Sequence, residues 1–356
     1  MTERRTALYD LHVAGKARMV PFASYSMPQN YGSQLAEHHE VRRCAGMFDV
    51  SHMTITDLSG EGARGLLARV FANDVGKAVP GRAVYGVMLN ESGGIIDDII
   101  LYGRDCGYRV VSNAATRGKV LDWLRVHAAD FGVNVHERQD LALIAVQGPA
   151  ALRTFSAATS MDVADLGVFS VRERDGWMVA RTGYTGEDGI EVALPGDQAP
   201  VLWRQLSDAG VARAGLAARD TLRLEAGLLL YGQDMDETTS PLESSLGWTV
   251  AWDPPQRAFV GREPLARQRS ARPERVLRGV VLAARGVVRR AQRVHTNAGD
   301  GTVTSGIFSP TLGYSIGFAR VPRGATGDCL IEIRGAGTPA RIVRPPFVRH
   351  GRQVFK

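Results

Sequence analysis

Apolar and polar positions along the chain switch between a helical and a strand-like period. GSQLAEHHEVRRCAG, from Gly32 to Gly46, reads as a helix ended by glycine. GMFDVSHMTITDLSG follows as a strand, with apolar–polar alternation from Met53 on. EGARGLLARVFAND predicts a short amphipathic helix. RAVYGVMLNESGGIIDDIILYG predicts a hairpin turning at Ser92-Gly93-Gly94. YRVVSNAA then predicts a strand, and TRGKVLDWLRVHAADFG a helix. This order, from about residue 51 to 140, implies an α+β unit built on an antiparallel sheet.

A second region, about 141 to 250, opens on the apolar run LALIAVQGP. WMVARTGYTGEDGIEVALPG predicts a second hairpin, around Glu187-Asp188-Gly189. QAPVLWRQLSDAG and AARDTLRLEAGLLL predict helices. The stretch from about 256 to 278 reads as a connector containing a helix. Beyond it RGVVLAARGVV, GTVTSGIFS, GYSIGFARV, CLIEIRG and ARIVRPPFV are short, β-like and punctuated by glycine, which predicts a small all-β C-terminal domain. There is no internal repeat.

The length of 356 residues points to two or three domains. Hydrophobic content of 44% and charged content of 22% are ordinary for a soluble protein. No window reaches ~18 consecutive apolar residues, so no membrane span is expected. The first twenty residues carry charges throughout, so no secretory signal is expected either. Cys44, Cys106 and Cys329 lie far apart without metal spacing, which fits a reducing cytoplasm. No metal is expected.

The net charge of +6 comes almost entirely from arginine: of 43 basic residues only Lys16, Lys77, Lys119 and Lys356 are lysines. Base composition of the genome explains such a skew as well as function does. Eleven arginines fall between Arg257 and Arg293, and a basic stretch can attract an anionic ligand or partner. No nucleic-acid-binding motif accompanies it, and no basic run is interleaved with aromatics.

The chemistry starts at NESGGIIDDIILYG, where Asp97 and Asp98 interrupt a run of isoleucines. On a strand, Ile96, Asp98, Ile100 and Tyr102 share one face, and Ile95, Asp97, Ile99 and Leu101 the other. The carboxylates therefore point opposite ways, and one of them faces a core or a pocket. A carboxylate so placed suits proton handling or stabilisation of a developing cation. The bland alternative is a strand-end aspartate bonded to backbone N–H groups. Glu191, just past the polar loop GYTGEDG, can bind two parallel N–H donors at a heterocycle edge, or can simply close a hairpin. His38 and His39 read as surface residues, while His52 stays open. There is no GxSxG, Walker or dinucleotide fingerprint.

Together, YGSQLAEHHEVRRCAGMFDVSHM, NESGGIIDDIILY, LIAVQGP, RTGYTGEDGIEVALP, GLAARDTLRLEAGLLLYGQDMDE and TSGIFSPTLGYSIGFARVP resemble the glycine cleavage T-protein family, the tetrahydrofolate-dependent aminomethyltransferases. The resemblance runs from about Leu8 to about Arg349. It implies an α+β fold of three domains in a clover-like arrangement around a central folate channel, the last domain a β-barrel. Laid on this chain, residues 1–50 and 141–255 would form a discontinuous first folate-binding domain. Residues 51–140 would carry the catalytic aspartate, 256–278 would connect, and 279–356 would form the barrel. The implied reaction takes the aminomethyl group from the lipoyl arm of H-protein to tetrahydrofolate, a co-substrate, giving 5,10-methylenetetrahydrofolate, ammonia and dihydrolipoyl H-protein. A cytoplasmic monomer is expected.

Carried over residue by residue, the family's catalytic aspartate falls on Asp98, and its folate contacts on Glu191 and Arg219. Met53, Tyr85, Asn113, Tyr184 and Arg289 align with channel residues. The C-terminal folate contact falls on Arg349, with Arg352 as the alternative. The chain departs from the pattern at FASYSMP, where Ser24 and Tyr25 replace the common Gly-Trp. Two rivals share the fold: a folate-dependent demethylase, and a non-catalytic folate-binding accessory protein of iron–sulfur assembly. The accessory group carries a cysteine in a KGCY-x-GQE signature, and here the matching LLLYGQDMDE has none.

Overall fold

The computed structural model describes residues 3–355. The chain forms two compact units. One comprises residues up to Leu67, Val75–Tyr85 and Ile99–Asp220; the other comprises Ala68–Asp74, Gly86–Asp98 and the chain from Thr221 on.

The first unit is built on a six-stranded sheet in the order Val171–Arg174, Trp177–Ala180, Gly189–Pro195, Leu141–Gln147, Gly46–Asp49 and Ala212–Arg213. The pairings are antiparallel except the last. Leu141–Gln147 is buried along nearly its whole length, which its unbroken apolar run requires. Helices Ala151–Thr159 and Ala199–Asp208 contribute Phe155, Leu202, Trp203 and Leu206 to one core with Ile144, Val146 and Val192 of the sheet. The stretch from 46 to 59, read above as one strand, is two. Gly46–Asp49 lies in this sheet, whereas Thr54–Ser59 lies in a second one. The break is a turn at 50–53: Asp49 Oδ1 accepts the Ser51 N–H, and the Met53 N–H reaches the Val50 carbonyl.

Among the elements that escaped the pattern reading are the helix Tyr9–Ala14, the hairpin of Arg18–Phe22 with Tyr25–Asn30, and the helix Ala151–Thr159. The hairpin turns through Ala23 and Ser24, both at positive φ, as a two-residue type I′ turn demands. Serine rather than glycine at such a φ costs on the order of 1 kcal/mol.

The second sheet has the order Ala83–Leu89, Ile95–Arg104, Gly107–Ser112, Thr54–Ser59 and Asn134–Glu137. The expected hairpin at Ser92-Gly93-Gly94 is present. Asn90 Oδ1 accepts the N–H groups of Ser92 and Gly94, and the Asn90 side-chain amide donates to the Glu237 carbonyl. Gly94 is obligatory, because a Cβ there would lie 1.8 Å from the Glu237 carbonyl oxygen.

The second unit contains a closed six-stranded barrel: Arg275–Leu282, Ser315–Pro322, Gly299–Phe308, Arg293–Thr296, Asp328–Ile333 and Ala336–Val343. Val280, Leu282, Val303, Val321 and Ile331 belong to its core. The arginine-rich connector holds the helix Arg262–Ala271, as expected. Several of its arginines are engaged internally. Arg257 donates to the carbonyls of Phe71, Ala72, Asn73 and Ala251. Arg262 and Arg269 stack on Trp252, at 5.3 and 4.6 Å from the ring centre. Among the described residues no helix is long and apolar enough to cross a membrane.

Candidate functional site

In the first unit the site is organised by the loop between Trp177–Ala180 and Gly189–Pro195. This is a hairpin, as read from the sequence, but its loop is wide rather than a tight turn. Three side chains hold it: Arg181, Arg42 and Gln147. Arg181 forks onto Asp188 at 2.9 and 2.6 Å. Arg42 bonds Glu187 at 2.8 Å and the Thr185 carbonyl at 2.7 Å. Thr185 donates to Gln147 Oε1, and Gln147 Nε2 donates to the Thr182 carbonyl. These bonds fix the path of the segment that presents Thr182 and Tyr184 and leads into Glu191.

Glu191 is the half-buried member of an otherwise buried stretch of its strand. One of its oxygens accepts the Thr182 hydroxyl at 2.6 Å. Tyr102 hydrogen-bonds Thr182; burial, with the nearby Glu191 charge, pushes its phenol well above the ordinary range, so it stays protonated. Arg219 lies in the helix Leu216–Glu225 with its guanidinium 4.5 Å from the centre of the Tyr184 ring. Burial lowers its basicity, and the charge of Glu191 opposes that shift. A carboxylate, a cation on an aromatic face, a phenol and a hydroxyl are thus gathered together. This set suits a flat heterocycle with adjacent N–H donors.

His52 lies in the same unit. It is 3% exposed, its ring meets Phe22 edge-on at 5.3 Å, and its Nδ1 has no hydrogen-bond partner among the described residues. Burial and the positive charge of Arg219 lower its pKa to about 4, against the opposing pull of Asp49. An unfolded chain takes up this proton first as the pH falls. The contribution to stability is therefore complete above the ordinary value of 6.5 and is lost on acidification towards 4. It amounts to on the order of 3 kcal/mol. In chemical denaturation at several pH values, His52→Gln flattens the loss of stability between pH 6.5 and 4 relative to the parent. An unchanged slope would remove His52 as its source.

In the second unit the start of the strand Ile95–Arg104 is anchored by the GQDMDE segment. Tyr231 donates to the Ile95 carbonyl at 3.0 Å, and the Ile95 N–H reaches the carbonyls of Asp236 and Thr239. Asp234 fixes that segment, accepting from Arg223, the Leu230 N–H and Thr304. Glu225 binds Ser309 and Thr311 of the SPTLG turn. On the strand itself Asp97 is fully buried and Asp98 half-buried, with Ile100 the next half-buried position. The two carboxylates do face opposite ways, and Asp98 is the accessible one.

Of the residues predicted from sequence, the structure brings Glu191, Arg219 and Tyr184 together. Met53 is half-buried beside His52 in the turn at 50–53. Tyr85 is half-buried on Ala83–Leu89, and Asn113 is half-buried just after Gly107–Ser112. Asp98, Arg289 and Arg349 belong to the other unit. Arg289 is exposed there, and Arg349 is half-buried on the short strand Val348–Arg349, paired with exposed Arg352. Sequence reasoning missed Thr182. Tyr102 was visible only as sharing the strand face of Asp98.

Two family models match the chain: the GCVT N-terminal domain over residues 8–254, and the glycine cleavage T-protein C-terminal barrel domain over residues 275–349. An aminomethyltransferase of Alcanivorax borkumensis is 52% identical, covering 99% of each chain. One of Nitrosococcus oceani is 52% identical over 98% of this chain and 96% of its own. The crystal structure of the glycine cleavage system aminomethyltransferase T from Bartonella henselae superposes with a TM-score of 0.93 at 33% identity, covering 99% of this chain and 100% of that one.

Proposed function

The chain belongs to the glycine cleavage T-protein family and is an aminomethyltransferase of the glycine cleavage system, and on that premise we propose how its residues divide the work. The family acts with H-protein and uses tetrahydrofolate as substrate. For this chain the donor is the aminomethyl group on the dihydrolipoyl arm of H-protein. The carbon passes to tetrahydrofolate, whose N5 and N10 each give up a proton. The nitrogen leaves as ammonia, and the sulfur as the dihydrolipoyl thiol.

Glu191 binds the pterin edge through its remaining acceptor positions, with Thr182 and Tyr102 orienting it. Arg219, stacked on Tyr184, supplies the adjacent positive charge. Met53, Tyr85 and Asn113 line the folate path, and Arg289 and Arg349 face the glutamate carboxylates of the folate tail. Asp98 stabilises the cation that develops as ammonia leaves and accepts the N5 proton. The protein works as a cytoplasmic monomer. The observation that carries the reading is the joint placement of Glu191, Thr182, Tyr102, Arg219 and Tyr184.

The test is turnover of purified protein with aminomethylated H-protein and tetrahydrofolate. Methylenetetrahydrofolate and ammonia form in equal amounts. Product arising only from an S- or O-methyl donor would make the protein a demethylase. Folate binding without turnover of any donor would make it an accessory protein.

A further inference from the structure

The turn at 50–53, which carries His52 and Met53, and the helix that carries Arg219 are joined by a line of buried and part-buried hydrogen bonds. Asp49, 4% exposed, begins it. Its Oδ1 accepts the Ser51 N–H at 2.9 Å, which shapes the turn. Its Oδ2 accepts the Thr6 hydroxyl at 2.6 Å and lies 2.9 Å from His12 Nε2. The other ring nitrogen of His12, Nδ1, is 2.7 Å from the Tyr31 hydroxyl. Burial would raise the Asp49 carboxyl, but the bonds from His12, Ser51 and Thr6 outweigh it and hold it low, so it is ionised. Nε2 of His12 then carries the donated proton, and Nδ1 is left to bond the Tyr31 hydroxyl.

From Tyr31 the line continues through the backbone. The Tyr31 N–H donates to Glu37 Oε1 at 2.6 Å, and the Gly215 N–H donates to Glu37 Oε2 at 2.9 Å. Gly215 immediately precedes the helix Leu216–Glu225, and its carbonyl accepts the Arg219 N–H. A Cβ at Gly215 would lie 2.4 Å from the Gln29 carbonyl oxygen, so the backbone there has a single close-packed path. Glu37 is 6% exposed, and His12 is fully buried.

We infer that the line Asp49–His12–Tyr31–Glu37 is a positioning device for folate recognition, and that Glu37 is the residue through which it sets the start of the Arg219 helix. Apolar side chains of equal volume would serve stability as well or better. Two polar ends that both stop at site-bearing elements fix a geometry that apolar packing does not. The device rests on the proposed role of Arg219 as a folate contact.

The test is tetrahydrofolate binding and steady-state kinetics of the full chain. Glu37→Gln is close to isosteric, but one of the two backbone N–H groups then faces an amide N–H₂. The folate Kd and KM rise about tenfold while kcat at saturation stays within about twofold. Tyr31→Phe, which keeps the backbone bond to Glu37 and loses only the hydroxyl, gives a smaller rise in the same direction. In an Arg219→Lys background, Glu37→Gln adds little, because it acts through Arg219. A lowered Tm with unchanged folate affinity in both Glu37→Gln and Tyr31→Phe would overturn the inference, as would full additivity of Glu37→Gln with Arg219→Lys. Unchanged affinity in Arg219→Lys alone would instead overturn the folate role of Arg219.

Discussion

Asp98→Asn leaves the fold and folate binding intact and lowers turnover by about 10²-fold or more. The substitution is close to isosteric, so the strand Ile95–Arg104 keeps its alternation and its anchoring to Tyr231. What disappears is a negative charge and a proton acceptor at the half-buried position of the pair. Asp97→Asn behaves differently. Asp97 is fully buried, so its replacement disturbs packed polar structure and shows first in denaturation. Measuring turnover, folate titration and unfolding on both variants separates the roles. A folded Asp97→Asn protein without turnover, beside an active Asp98→Asn protein, would reverse the assignment within the pair.

That assignment shows where sequence reading reaches and where it stops. Period-two alternation put Asp97 and Asp98 on opposite faces, and this holds because the period is a property of the extended backbone itself. Alternation does not say which face is the core, since that depends on what packs over the strand. The same limit explains the stretch from 46 to 59. Apolar residues recur along it at Met47, Phe48, Val50, Met53, Ile55 and Leu58, so it reads as one strand. The break comes from Asp49 accepting the Ser51 N–H, a polar bond that leaves no mark on the hydrophobic pattern. The helix Tyr9–Ala14 is too short for periodicity to register.

The candidate site was legible where one residue type is unusual for its position, as with Glu191 in an apolar strand. It was illegible where a residue joins it only through a partner elsewhere in the chain. Thr182 is unremarkable until its hydroxyl is seen on Glu191, nine residues away. The arginine-rich connector shows a second limit. Its density suggested a positive field, yet Arg257 is held by backbone carbonyls, and Arg262 and Arg269 stack on Trp252. Counting charges does not reveal which of them are held by other groups of the protein.

Glu191→Gln weakens tetrahydrofolate binding by roughly tenfold to a hundredfold while the protein stays folded, a cost on the order of 1–3 kcal/mol. The position of Oε2 must still accept the Thr182 hydroxyl, 2.6 Å away, so the amide oxygen turns towards Thr182. The amide N–H₂ then occupies the place of Oε1, and presents donors to a pterin edge that itself offers donors. A second effect adds to the first. Burial already disfavours the cationic form of Arg219, and the Glu191 charge opposes that; with glutamine the guanidinium is less well supported over Tyr184. Thr182→Val separates the two effects, because it frees the carboxylate from its orienting hydroxyl without removing its charge. It should weaken folate binding less than Glu191→Gln does. Isothermal titration with tetrahydrofolate decides the matter: unchanged affinity in folded Glu191→Gln would take this carboxylate out of the site, whereas equal losses in both variants would make its orientation, rather than its charge, the quantity that matters.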